Sequence, residues 1–213
     1  MLEKLPDAIG HALRDVRAGL DNTAFNQSGL RTGLAAIEVG SLAFADHAPM
    51  PVRYTADGAG LSPPIHWRGV PAGTASLALI VEDADAPTPR PLVNAIVVDL
   101  PGDADGALPE GALASPDHDS DAVHAGRNSF LAAAWLPPDP PPGHGPHRYV
   151  FQVFALGPAA ADAGFSATPG RDAVMEAVRS RGLASGCVVG TYERHDTTVR
   201  ADDIFATGQP GTA

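Results

Sequence analysis

The chain has 213 residues, 44% of them apolar and 18% charged, which suffices for one ordinary domain whose core needs no metal or disulfide staple. Its 14 basic against 25 acidic side chains give a net charge of -11, which disfavours nucleic acid and anionic membrane as general partners. No run approaches the roughly 18 uncharged apolar residues of a membrane span, and charges scattered from Met1 to Leu20 argue against a secretory leader. The single Cys187 cannot close an internal bridge, so a cytoplasmic location is expected.

Leu2, Leu5, Ile9, Leu13, Val16 and Leu20 recur at three- and four-residue steps, which predicts an amphipathic helix over residues 1–22. Its apolar stripe must dock, either on its own domain or on a second subunit, and both hold in a swapped dimer; a homodimer is expected. Residues 23–35 read as a polar linker broken by Gly29 and Gly33. From residue 36 to 213 the pattern changes to short β-rich runs divided by the abundant glycines and prolines, 23 and 21 in the chain, as in an all-β sandwich or barrel.

The clearest strands are Ile37 to Phe44, Ser76 to Glu82, Val93 to Leu100 and Tyr149 to Leu156. The second and third are nearly continuous in apolar residues, so they are expected at the centre of a sheet covered on both faces. Asp103 to Gly126 reads as an exposed excursion; its Asp117-His118-Asp119-Ser120-Asp121 lacks the spacing of a calcium loop. Thr168-Pro169 precedes a predicted helix over Arg171 to Leu183 that ends near Gly186. Val188 to Tyr192 reads as a last strand, and the tail from His195 onward as polar and prone to fray or swap.

Chemistry concentrates beside the strongest strands. Glu82, Asp83 and Asp85 crowd the end of one strand, and like charges so close need a base or donors. Either they face a ligand, or Asp85 caps the turn while Asp83 pairs with an arginine. The run Trp135-Leu136-Pro137-Pro138-Asp139-Pro140-Pro141-Pro142 is stiff and poor in N–H donors, a wall and not a lid. His144 and His147 follow it, offering imidazoles to an anion or half of a zinc site; the H-x-x-H spacing on a Gly/Pro loop without a nearby cysteine favours the anion. Strand alternation sends His147 and Tyr149 to one face and leaves Arg148 on the other, available to the Asp83 to Asp85 turn. Trp67, beside Ser62-Pro63-Pro64, reads as packing. No G-x-S-x-G, phosphate-loop or dinucleotide glycine pattern is present, Cys187 reads as an inert thiol, and no cofactor is expected.

Several motifs in order carry a resemblance: Tyr54-Thr55-Ala56-Asp57-Gly58, Ser62-Pro63-Pro64-Ile65-His66-Trp67, Gly69-Val70-Pro71-Ala72-Gly73-Thr74, Glu82-Asp83 with Asp85-Ala86-Pro87, Leu108-Pro109-Glu110-Gly111, Pro140-Pro141, His147-Arg148-Tyr149 and Gly190-Thr191-Tyr192-Glu193-Arg194. From about Val39 to Arg194 the chain resembles the phosphatidylethanolamine-binding family in its bacterial Raf-kinase-inhibitor-like branch. The resemblance implies a mostly β fold, a β-sandwich with peripheral helices, here with the added N-terminal helix. It also implies a shallow pocket for phosphate-like or acetate-like anions, and a binding or regulatory role without an established reaction.

Carried over by position, the ligand-binding residues would be Asp83, Asp85, Trp135, Pro141, His147 and Tyr149, joined by Asn94 where the family has a second pocket histidine. An amide donates and accepts but carries no charge, so the expected pocket is weakened for phosphate and suited to a neutral or zwitterionic head group. Ala84 replaces a usual proline, and Asp139 a usual cysteine, adding a carboxylate that opposes a dianion. The expected partners are a small anion or phospho-head-group and an unidentified protein target. Two other readings stay open: a hydrolase or lyase using Asp83 and His147 as acid and base, and a dimeric scaffold working through the N-terminal helix.

Overall fold

The computed structural model describes residues 6–30, 36–102, 105–113, 123–160 and 164–195. Leu2, Leu5, the Asp117 to Asp121 run and the tail beyond His195 lie outside them. Among the described residues nine strands form two sheets. The smaller has the order β1 (Glu38–Gly40), β3 (Ile65–Arg68), β6 (Gly106–Leu108). The larger runs β2 (Ala48–Pro49), β9 (Gly182–Tyr192), β8 (His147–Leu156), β4 (Ser76–Asp83), β5 (Leu92–Pro101), β7 (His124–Gly126).

Alternation along β4 builds two cores from one strand. Leu77, Leu79 and Val81 face the small sheet and meet Ile65, Trp67, Val97, Phe151 and Val153. Ala78 and Ile80 face the other way, against Ile96, Phe154 and the Val174, Met175 and Val178 stripe of the helix α3 (Arg171–Arg181). Both faces of the large sheet are therefore covered, as the unbroken apolar runs require, and Trp67 is a core side chain at 3% exposure.

Several elements differ from expectation. The first helix, α1, is only Asp7–Ala12, and Ile9 and Val16 are 40% and 47% exposed, so the apolar spacing does not make a buried helical face through residue 22. Beyond Ala12 the chain turns through residues 13–15, Ala18 and Gly19 give their N–H groups to the distant Ala86 and Ala84 carbonyls, and a 3-10 turn at Leu20–Asn22 leads to α2 (Ala24–Gln27). The strand expected to reach Phe44 stops at Gly40, because the Ser41 hydroxyl accepts the Ala43 N–H at 3.1 Å and closes a turn. The excursion after residue 102 contains β6 and β7. α3 is capped by Gly170 and ends at Arg181, where β9 begins at once and pairs with the whole length of β8.

Candidate functional site

Asp83 ends β4 directly opposite Tyr149 on β8, and His147 lies two residues upstream on the same face, so sheet register alone brings the acid, imidazole and phenol together. The His147 Nδ1 is 2.8 Å from Asp83 Oδ2, and its Nε2 is 2.7 Å from His144 Nδ1. The His144 Nε2 in turn donates to the Leu13 carbonyl at 2.8 Å. Both imidazoles are buried, at 0% and 1% exposure.

Hydrogen-bond chemistry fixes the protons of this relay. A carbonyl only accepts, so His144 carries its proton on Nε2 and, when neutral, accepts at Nδ1 from His147 Nε2. The Asp83 carboxylate also only accepts, so His147 donates from Nδ1 as well. All three contacts are made together when the cluster holds one proton more than a carboxylate and two neutral imidazoles supply. Burial and the charge of His147 both push the His144 pKa down, consistent with His144 as the neutral member.

The two aspartates divide their work in the reverse of the structural alternative read from the sequence. Asp83 closes the turn, accepting the Asp85 N–H through Oδ1 at 2.9 Å. Asp85 takes the arginines: Arg148 Nε and Nη2 donate at 2.7 and 2.6 Å, and Arg17 Nη1 lies 3.1 Å away. Burial alone would raise the Asp85 carboxyl, but the Arg148 hydrogen bonds and charge, with Arg17, hold it below the usual carboxylate range. Glu82, pointing to the opposite face, is fully buried and structural: it accepts Ala24 N–H at 2.7 Å, Gln152 Nε2 at 2.9 Å and Arg171 Nε at 2.6 Å.

Of the other expected site residues, Asn94 donates its amide to the Leu136 carbonyl at 2.8 Å. Trp135 stacks on Phe151 with ring centroids 6.2 Å apart. Pro141 is buried and its carbonyl accepts the His144 N–H at 3.2 Å. Asp139 pairs with Arg194 at 2.8 Å, and the same guanidinium is held by Asp57, so the extra carboxylate is part of a compensated network.

All seven expected ligand residues are thus buried, and they do not line an open cup. An open cavity of about 760 Å³ lies elsewhere, between the β4–β5 loop and the start of α3, lined in part by Arg90, Arg127, Phe130 and Arg171. The buried region nevertheless has polar capacity to spare. Four buried side-chain atoms among the described residues lack a hydrogen-bond partner, and three of them are Tyr149 Oη, Asn94 Oδ1 and Trp135 Nε1; the fourth, Trp67 Nε1, sits between the sheets. Burial, reinforced by the charge of Asp83 and by a weak interaction of the hydroxyl with its carboxylate, pushes the Tyr149 phenol well above its ordinary pKa, so it remains a neutral donor. Sequence reasoning missed Leu13 and Arg17 as neighbours of this site; their partners His144 and Asp85 lie far away in the chain.

A family model described as phosphatidylethanolamine-binding protein matches residues 40–193. A protein of Aquifex aeolicus (strain VF5) named UPF0098 protein is 35% identical over 162 residues, 76% of this chain and 91% of that one. The crystal structure of E. coli YbcL, described as a new member of the mammalian PEBP family, superposes with a TM-score of 0.65 at 27% identity, over 75% of this chain and 99% of YbcL. The CT736 protein of Chlamydia trachomatis, described as a homologue of phosphatidylethanolamine-binding proteins, gives a TM-score of 0.64 at 30% identity, over 75% of this chain and 98% of its own.

Proposed function

Because the chain belongs to the phosphatidylethanolamine-binding protein family, we propose that it is a non-catalytic binding and regulatory protein whose ligand site is the buried region around Asp83, His147 and Tyr149. The observation that carries this reading is the set of orphaned polar atoms beside a fully committed imidazole relay. Native interiors leave few such atoms unpaired, and a phenol donor, an amide acceptor and an indole donor, all on residues expected at the site, are groups whose hydrogen bonding a polar ligand would complete.

The groups on offer set the ligand class. Asp85 and Asp139 are neutralised by arginines, both nitrogens of each imidazole are spent, and Asn94 brings no charge. The remaining donors and acceptor suit a small neutral or zwitterionic head group better than a dianion. No helix among the described residues is long and apolar enough to cross a membrane. A homodimer would have to use a surface other than residues 10–19 as they lie here, or exchange them between copies.

Asn94→His tests the assignment. If the position faces the ligand, a second imidazole should tighten inorganic phosphate binding about tenfold, the size of one charge-assisted hydrogen bond. Unchanged calorimetric affinity would remove Asn94 from the site. Acid–base catalysis is the competing reading, yet the His147 Nε2 that would face a substrate is held by His144. Turnover of ester, phosphoester or peptide substrates that disappears in His147→Ala would establish the enzyme instead.

A further inference from the structure

The buried state of the site has a specific cause. Residues 10–19 cross from the Pro/Gly loop to the aspartate turn and are fastened at both ends. At one end Gly10 lies so close to the Pro142 carbonyl that a Cβ there would come within 1.8 Å of its oxygen, and Leu13 offers its carbonyl to His144. At the other, Ala18 N–H donates to the Ala86 carbonyl at 3.0 Å and Gly19 N–H to the Ala84 carbonyl at 2.7 Å. Between them Arg17 enters a pocket of three acceptors: Asp85 Oδ1 at 3.1 Å, the His144 carbonyl at 2.8 Å and the Pro146 carbonyl at 2.9 Å. Gly145, at φ 91°, keeps the loop close beside this guanidinium.

These contacts are those of a bound peptide. Main-chain hydrogen bonds give attachment without regard to sequence, and one half-buried side-chain site, that of Arg17, gives selectivity. The pocket asks for a planar, many-donor cation, which arginine supplies and lysine does not. The match to the family covers residues 40–193, so the strap lies outside it.

We propose that residues 10–19 act as an intramolecular ligand, and that the groove they fill is a recognition site for an arginine-bearing peptide segment. In the resting chain the occupant is the strap itself, which closes the Asp83–His147 cluster. A partner segment presenting arginine two residues before a small residue would compete for the same acceptors and leave the cluster open to solvent. The consequence for head-group access rests on the function proposed above, whereas the peptide groove does not.

The test uses the full chain, with diethyl pyrocarbonate labelling of imidazoles read by mass spectrometry and exposed His47 as the internal reference. Wild-type His144 and His147 should label slowly. Arg17→Ala and Gly10→Val remove the strap through different contacts, and each should speed labelling of both imidazoles about tenfold, as expected for losing charge-assisted bonds or the close approach. Retained amide protection in β4 and β8 identifies a folded variant, and one folded variant suffices. A synthetic peptide of His11 to Leu20 added in trans should restore protection, while the same peptide with Ala in place of Arg17 should not. Unchanged labelling in the folded variants, or equal rescue by both peptides, overturns the proposal. Opened imidazoles with no head-group binding would leave the groove standing and remove the ligand reading; head-group binding with imidazoles still protected would do the reverse.

Discussion

Tyr149→Phe separates stability from function in a single atom. The ring is fully buried, packed between Phe151 on its own strand face and the His147 imidazole 6.4 Å away, and phenylalanine keeps that packing. What it removes is a buried hydroxyl that makes no hydrogen bond of good geometry, only a weak interaction with the Asp83 carboxylate; a group left unsatisfied in this way costs about 1–3 kcal/mol. The variant should therefore be more stable than the parent by about that amount, which in a chain of this size raises Tm by roughly 2–4 °C per kcal/mol. Differential scanning calorimetry reads the shift, and loss of head-group binding in the same variant would assign the hydroxyl to the ligand. A fall in Tm would refute the reasoning, because it would mean that the hydroxyl is hydrogen-bonded in solution within the closed chain.

Arg171→Ala should be the most damaging surface-side truncation, since it strands the fully buried Glu82 carboxylate; breaking such a pair costs about 3–5 kcal/mol, measurable as a lower urea midpoint, and a change near zero would show that Gln152 and Ala24 satisfy Glu82 without it. Acid should destabilise the fold in two stages. His144 has a lowered pKa, so its contribution is complete above the ordinary histidine value of about 6.5 and is lost as pH falls from there toward its folded value; Asp85, also lowered, contributes above about 3.9 and loses that contribution as pH falls through its own folded value. Urea midpoints against pH should show both limbs, and Arg148→Met should move the lower one upward; superimposable lower limbs in parent and variant would contradict the role given to Arg148.

The parts of this molecule that were readable in advance share a short-range cause. Two-residue alternation and unbroken apolar runs located β4, β5 and β8, and the same alternation placed His147 and Tyr149 on one face with Arg148 on the other. The pairing of Arg148 with the aspartate turn followed from it. What escaped depends on partners far away in the chain. Leu13 and His144 are 131 residues apart, so helical spacing around Leu13 carried no sign that its carbonyl would be taken by an imidazole. Glu82 and Arg171 are 89 residues apart, and without the arginine a third carboxylate in the turn read as one more ligand group. Exchange of the roles of Asp83 and Asp85 has a smaller cause: either can close the turn, and the position of Arg148 on the next strand decides which one is left to pair.

Nitrogen-15 imidazole NMR of the full chain, titrated with glycerophosphoethanolamine and separately with inorganic phosphate, tests the ligand site most directly. The parent should show a His147 protonated on both nitrogens beside a His144 carrying its proton on Nε2, and Arg17→Ala, with the strap released, should show saturable shifts of His147 on adding the zwitterion and at least about tenfold weaker response to phosphate. Imidazole resonances that neither compound moves in Arg17→Ala, or tight saturable phosphate binding with Asn94 in place, would contradict the account.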